Sequence, residues 1–437
     1  MHYAAIGEYL EKLQGENSKL SLHTIGQIVK NLPFPVKTVK YIQVAGTNGK
    51  GSTSHFIAAI LRSAGWRVGL FTSPHLQDVR ERICLNGRMI SRKDFAGVVT
   101  IVDNIVRNLL RRRVIASGPT FFETLFLAAL VHFCRSRADW AVLEVGLGGR
   151  LDATSTVVPE VSVITNIAKD HTQILGKTLT AIAREKAGVC KKNVPLVSGC
   201  PPSSIAGRVI AQTARRKKAL LHLVFADARS LRCEKKGSSY FCLYQSGGRR
   251  YDYRVDLKGR HQTVNAALAL KTADVLRGQG WRIPVAAIRR GIRTMFIPGR
   301  IESLGGKPPL ILDGGHNPDG IRVLTDFLRE ENISNITLIF GVLADKHYRK
   351  MARALAPLAA NVILTAPPNP RALPPQKLLP FFKRRNCWVE TDLAQALAIA
   401  KKLKRIIIIC GSLYLAGALR TVACGGKKYG RQTIKGN

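Results

Sequence analysis

Residues 42–54 read IQVAGTNGKGSTS, a glycine-rich stretch that carries Lys50 and Ser52. A standard phosphate-binding loop places four residues between its two glycines. Here only Thr47 and Asn48 separate Gly46 from Gly49, and Gly51 stands between Lys50 and Ser52. The altered spacing keeps the chemistry. Gly46, Gly49 and Gly51 let backbone N–H groups turn toward phosphate oxygens, and a following helix aims its positive N-terminal end at the same point. Lys50 adds a mobile cation, and Ser52 a hydroxyl within reach of a metal. A second group sits where strands should end: Ser73 after VGLFT, Glu144 in WAVLEVG, and Asp170-His171 after VSVITN. Hydroxyl, carboxylate and imidazole form a set that a loosely held Mg2+ accepts alongside water and phosphate, although histidine is unusual for that ion. The same residues also read as ordinary polar strand ends. The third candidate is Lys186 in AREKAGVC, on a helix among small apolar residues. It reads equally as a side chain snorkelling to solvent and as a buried amine whose pKa falls. A neutral amine can take up carbon dioxide as a carbamate, which turns a cation into an anion.

Strands must run into these residues to position them. VKYIQVAG reads as the strand entering the loop, GSTSHFIAAILRSAG as the helix leaving it and RVGLFTSPHL as the next strand. That order is a βαβ unit and implies a parallel sheet with a right-handed crossover, in which ligands gather beyond the carboxyl ends of the strands. Before it, the first 40 residues read as helical and then loop-like. After it, TFFETLFLAALVHFCRSRA and RHQTVNAALALKTADVLRGQG read as helices, and WAVLEVG, VSVITN and VPLVSGCP as strands. Residues 222–257 alternate in polarity and carry turn residues, which predicts antiparallel strands beside the main sheet. FIPGRIE, residues 296–302, marks a boundary. Beyond it PLILDGG, NITLIFGVL, NVILTAP, CWVET and RIIIICGS read as strands of a second α/β pattern, giving expected domains of 1–297 and 298–437.

Composition sets outer limits. A chain of 437 residues with 46% hydrophobic residues suits a soluble globular protein of two or three domains. The N-terminus lacks a secretory pattern, and no apolar run reaches membrane-spanning length. The longest, IIIIC at 406–410, reads as a buried parallel strand. The cysteines are scattered, odd in number and without a C-x-x-C pair, so neither a metal finger nor a disulfide framework is expected, and the expected home is a reducing cytoplasm. Charge is the unusual feature: 68 Lys and Arg against 28 Asp and Glu give a formal +40. The basic residues fall in short clusters along the whole chain, with no arm and no aromatic stacking platform. A solvated basic surface is therefore expected, with no specific nucleic-acid site and a possible attraction of anionic substrates.

The motifs GTNGKGS, TSPHL…RERI, LEVGLGGRLDATS, ITNIAKDHTQILGKTLTAIAREKAGV, PGRIE and LDGGHNPDG, taken in order, resemble the folylpolyglutamate synthase and dihydrofolate synthase branch of the Mur ligase superfamily. The shortened loop is a hallmark of that family. The resemblance implies an α/β protein: an N-terminal P-loop-type ATPase domain with a mainly parallel sheet plus a small antiparallel sheet, and a smaller C-terminal Rossmann-like domain that closes on it. It implies that Asn48, Gly49, Lys50, Gly51 and Ser52 hold the ATP phosphates. Ser73, Glu144 and His171 would hold Mg2+, and Lys186 would be carbamylated beside a second ion. Asn265, Arg300 and Asp313 would contact ATP, with His316 on the adenine side. Phe121, Phe122, Glu123 and Thr124, with Arg150, Leu151 and Asp152, match the stretch lining the pterin site of bifunctional members. Gly315 in LDGGHNP departs from the alanine that many members carry, and is expected to add flexibility.

The implied reaction is an ATP-dependent amide ligation. The γ-phosphoryl passes to a folate or dihydropteroate carboxylate, and the amine of L-glutamate attacks the resulting acyl phosphate. Lys50, Mg2+ and Arg300 would neutralise charge on the transferred phosphoryl, with Lys186 and His171 supporting the metals. A cytoplasmic monomer acting on small molecules, without a membrane partner, is expected. Two rival readings are a muropeptide ligase, which shares loop and mechanism, and a nucleic-acid-binding ATPase, which would explain the charge.

Overall fold

The computed structural model describes residues 3–14, 21–225, 230–246 and 248–425. The chain divides into two units, one comprising Met1–Pro74, Arg80–Leu257 and His261–Met295, the other His75–Val79, Lys258–Arg260 and Phe296–Asn437. The lysine-rich tail after residue 425 lies outside the described residues.

The first unit is built on an eight-stranded sheet. Its order is Arg88–Met89, Ile83–Leu85, Val68–Phe71, Trp140–Glu144, Lys40–Ala45, Val161–Ile164, Leu196–Ser198 and Leu221–Leu223. The last six run parallel, and the first two form an antiparallel edge. Strands such as Trp140–Glu144 are buried at every residue, as expected where helices cover a parallel sheet and its strands become continuous apolar runs. The helix Lys50–Ser63 packs against His261–Gly278 and Val285–Arg293, and Arg92–Arg111 against Phe121–Arg135. The loop strand Lys40–Ala45 is flanked by Trp140–Glu144 on one side and Val161–Ile164 on the other. Their carboxyl ends, Ala45, Glu144 and Ile164, therefore lie side by side where the strand order reverses, the position at which open α/β sheets bind ligands.

Antiparallel strands appear within residues 222–257, as Leu231–Lys236, Ser239–Ser246 and Arg249–Val255. Their register sets Cys233 directly opposite Cys242, and the two form a disulfide with Cα atoms 4.2 Å apart. The sequence offered no C-x-x-C signal for this pair: its members are nine residues apart and meet across the hairpin.

The second unit carries a six-stranded sheet in the order Glu302–Gly305, Leu310–Leu312, Ile407–Cys410, Ile336–Phe340, Ala359–Leu364 and Asn386–Val389. Only the first strand is antiparallel. The run read as a buried strand is parallel and fully buried over Ile407–Cys410. Its two faces are filled by separate apolar clusters, Ile408 and Cys410 with Leu338 and Val362 in one, Ile407 and Ile409 with Ile339 and Ile363 in the other. Among the described residues no helix is long and apolar enough to cross a membrane.

Candidate active site

The shortened loop is fixed from below by the neighbouring strand end. The amide of Thr47 donates to Asn166 O at 2.8 Å. The amide of Asn48 donates to Asn166 Oδ1 at 2.9 Å, and Thr165 Oγ1 donates to Asn48 O at 2.7 Å. Gly46 and Gly49 have φ of 142° and 80°, values that favour glycine. A Cβ at Gly46 would overlap Thr165 Oγ1, and one at Gly49 would overlap Asn265 Oδ1. The second contact brings Asn265, from the helix His261–Gly278, to the loop, where its Nδ2 donates to Gln262 Oε1 at 2.9 Å. Lys50 opens the helix Lys50–Ser63 and donates to Thr47 O at 3.1 Å, so its ammonium curls back over the loop. Ser52 is buried in the first turn.

Ser73 and Glu144 meet. The Ser73 amide donates to Glu144 Oε2 at 2.9 Å, and a Cβ at Gly51 would lie 3.4 Å from the same oxygen. Gly51, the residue that interrupts the loop pattern, therefore leaves room for the carboxylate beside the loop. His171 stands at the start of the short helix Thr172–Leu175 with φ of 50°, and its Nε2 is 4.0 Å from Asp170 Oδ1. Ser73 thus lies beside Glu144, and His171 beside Asp170. A carboxylate beside the glycine loop suits a hard, partly hydrated cation.

Lys186 is buried, with 5% of its surface exposed, so the solvent-seeking alternative does not hold. Its Nζ donates to Gly46 O at 2.7 Å, directly beneath the loop. Burial lowers its pKa to about 7, and the nearby Lys50 ammonium pushes the same way, against Asp170 and Asp152. Two amines thus bond to carbonyls of one glycine loop, Lys50 to Thr47 O and the buried Lys186 to Gly46 O, and burial disfavours the charged form of the second.

The stretch matched to a pterin site is only partly available for contact. Thr120 and Glu123 form a capping box at the start of the helix Phe121–Arg135, with the Thr120 amide donating to Glu123 Oε2 at 2.8 Å. Thr124 is fully buried. Phe122 packs against Phe71 with ring centroids 5.5 Å apart, while the Arg82 guanidinium lies 5.1 Å over Phe121. Arg150 pairs with Glu185 at 3.0 Å, and Leu151 is half-buried. Asp152 is buried and turned into its own loop: Oδ2 accepts from the amides of Gly146 and Leu147 at 3.0 Å. Its Oδ1 accepts from the Thr154 amide and hydroxyl at 3.0 and 2.5 Å. Burial pushes this carboxyl upward and those bonds oppose the shift.

In the second unit, the turn Pro298–Glu302 is tied to the loop Asp313–Asn317. Asp313 Oδ2 accepts from the Ile301 amide at 3.0 Å, and Oδ1 from the Gly315 amide at 2.8 Å. Burial raises the Asp313 pKa, opposed first by Arg300. Ile301 has φ of 46°, a costly conformation for a β-branched residue that survives only where the surroundings enforce it. His316 Nδ1 lies 3.0 Å from Gly314 O, and Asn317 caps the helix Pro318–Glu330 through Gly320 N at 2.8 Å. Gly315 is outside the left-handed region; a Cβ there would lie 2.7 Å from Asp313 Oδ1. Close approach, not flexibility, is what the glycine supplies.

Sequence reasoning passed over Thr165 and Asn166, whose polar groups shape the loop, and Arg82. Asn166 was legible as part of a strand-end motif, but its partner is known only once two strands are seen to be neighbours.

Two family descriptions match the chain: the Mur ligase middle domain over residues 44–273 and the Mur ligase glutamate ligase domain over residues 299–413. A folylpolyglutamate synthase from Lacticaseibacillus casei is 35% identical, over 93% of this chain and 93% of its own. A dihydrofolate synthase/folylpolyglutamate synthase from Bacillus subtilis is 33% identical, over 92% and 94%. A protein from Haloferax volcanii named as a probable bifunctional folylpolyglutamate synthase/dihydropteroate synthase is 35% identical over 96% of this chain, and the chain spans 50% of its length. The crystal structure of Mycobacterium tuberculosis folylpolyglutamate synthase complexed with ADP superposes with a TM-score of 0.88 at 29% identity, covering 98% of both chains.

Proposed function

The chain belongs to the dihydrofolate synthase/folylpolyglutamate synthase family of the Mur ligase superfamily, and from that premise we propose that it is an ATP-dependent ligase joining L-glutamate to folates. What supports the proposal most is the glycine loop of residues 46–52, entered by a strand and left by a helix, with the buried Lys186 bonded to its Gly46 carbonyl. Named relatives include both a bifunctional enzyme and a folylpolyglutamate synthase alone. We assign both activities to this chain, dihydropteroate and reduced folates serving as acceptors.

A carboxylate is a poor acyl donor, and transfer of the γ-phosphoryl of ATP to it creates a good leaving group. The amides of Gly49 and Gly51, with Asn48, Lys50 and Ser52, bind the phosphates, and Lys50 balances charge spreading over the transferred group. Asn265 orients the nucleotide from the loop side. In the second unit Arg300, Asp313 and His316 supply further nucleotide contacts. Ser73, Glu144 and His171 would hold Mg2+, which supplies charge neutralisation at the phosphoryl oxygens when bound. Carbamylated Lys186 would offer a second carboxylate beside Gly46. The glutamate amine then displaces phosphate through a tetrahedral intermediate.

For the acceptor, Phe121 and Phe122 offer flat apolar surface to a pterin ring, and Asp152 holds the Gly146–Leu147 backbone that forms its wall. Separate assays with dihydropteroate and with a reduced folate test the assignment. Amide product from both is expected. Product from the reduced folate alone would make the chain a folylpolyglutamate synthase only.

A further inference from the structure

The short segment His75–Val79 belongs to the second unit, although it begins two residues after Ser73 of the first. It is seated tightly there. A Cβ at Gly417 would overlap Leu76 O, and one at Gly299 would lie 3.1 Å from Leu76 Cδ1. Gln77 is gripped at both ends of its amide: Nε2 donates to Thr421 Oγ1 at 2.6 Å, and Oε1 accepts from Arg420 Nη1 at 2.8 Å.

Arg420 does more than hold Gln77. Its Nε and Nη2 form a fork on Glu302, at 3.1 and 2.9 Å. The pair is nearly dry, with side-chain exposures of 12% and 3%. Glu302 Oε2 in turn accepts from the Gly299 amide at 2.9 Å, and Gly299 O accepts from the Gly314 amide at 2.8 Å. A single planar guanidinium therefore locks two stretches into one piece: the segment that continues from Ser73, and the turn that bears Arg300 and leads to Asp313. Arginine suits this task because its donors lie in a fixed plane and serve two partners in set directions.

We propose that Arg420 is a positioning residue for the ligation, acting through Gln77 to fix the path of the chain leaving Ser73 and through Glu302 to fix the Arg300 turn. It touches no reacting atom. The inference rests on the ligase reading, since Ser73 and Arg300 matter to catalysis only there. Small errors in such placement are costly to turnover, about a hundredfold for displacements near 1 Å, and leave binding less affected.

Arg420→Ala strands the buried Glu302 carboxylate and is prone to unfold, so the half-buried Gln77 carries the test. Gln77→Ala, Arg420→Lys and the double variant are compared with the full-length wild type by steady-state ligation and by hydrogen exchange of the peptide containing Ser73. Gln77→Ala should lower kcat about tenfold, with KM for ATP held within about twofold, and should speed exchange of the Ser73 amide, which donates to Glu144. Arg420→Lys, which loses the fork, should lower kcat similarly, and the double variant no further than either single change. Wild-type turnover in Gln77→Ala, unchanged Ser73 exchange, a rise in KM for ATP with kcat intact, or additive losses would each overturn the proposal. A wild type that forms no amide product overturns the ligase reading itself, and the exchange result still reports separately on the segment.

Discussion

Lys186 shows how far a residue can be read before its surroundings are known. In sequence it is one lysine on an alanine-rich helix; in the structure it is a buried amine bonded to Gly46 O, with its pKa lowered to about 7. If Lys186 is carbamylated as proposed, Lys186→Ala should leave the protein folded and cut ligation by about a hundredfold or more, because the carbamate's negative charge would be lost. Millimolar acetate should restore part of the rate, and near-normal turnover without rescue would remove the carbamate from the account. The pKa also has a stability signature. The folded-state value lies below the ordinary lysine value of 10.5, so the unfolded chain binds more protons between about pH 7 and 10.5. Stability should therefore rise with pH across that window by about 1.4 kcal/mol per unit for this one group, with the full cost of burying the ammonium present below it. Urea unfolding of wild type and Lys186→Met in carbon-dioxide-free buffer measures the difference, and the methionine variant should lack the slope. Asp152 was equally legible as a site residue but not in its duty: its oxygens are turned into the 146–154 loop. Asp152→Ala should thus lower dihydropteroate ligation by loosening that wall. Dihydropteroate ligation that persists while folate extension is lost would move the pterin site elsewhere.

The glycine loop between its strand and helix was readable because glycines, lysine and serine stand in a fixed local order. Its support was not. Thr165 and Asn166 come from a strand more than a hundred positions away, and only sheet order makes them neighbours of Thr47 and Asn48. Gly49→Ala tests whether the loop conformation matters as argued. A methyl there meets Asn265 Oδ1 at a backbone φ of 80°, so nucleotide affinity should fall about tenfold or more, in line with strain of about 1–3 kcal/mol. Calorimetric titration with ADP measures it, and unchanged affinity would mean that the loop is not the phosphate site. The antiparallel edge Ile83–Leu85 and Arg88–Met89 escaped the sequence reading because its strands are very short. Asn86-Gly87 between them, both at positive φ, was the available signal, since that dipeptide favours tight hairpins. The cysteine pair escaped for a related reason, visible only in the register of its hairpin.

For the whole molecule, the order of strands and helices suggested a boundary at 297/298, but that His75–Val79 and Lys258–Arg260 belong with the second unit was not legible, because nothing in so short a segment announces where it packs. The formal +40 is read as a solvated basic surface. Binding to duplex DNA or RNA should be weak, indifferent to sequence and steeply lost with salt, because only phosphate neutralisation drives it. A salt titration with several duplexes checks this, and tight binding to one sequence at physiological salt would contradict it. The claim on which everything else depends is that ATP activates a folate-type carboxylate for attack by glutamate. It is tested most directly by supplying reduced folate with its carboxylate oxygens labelled with oxygen-18, together with ATP and L-glutamate, and analysing the phosphate released. The account predicts glutamyl amide and phosphate in equal amounts, with one labelled oxygen carried from the carboxylate into each phosphate. Amide formation with unlabelled phosphate, or phosphate release indifferent to folate and glutamate, would contradict it.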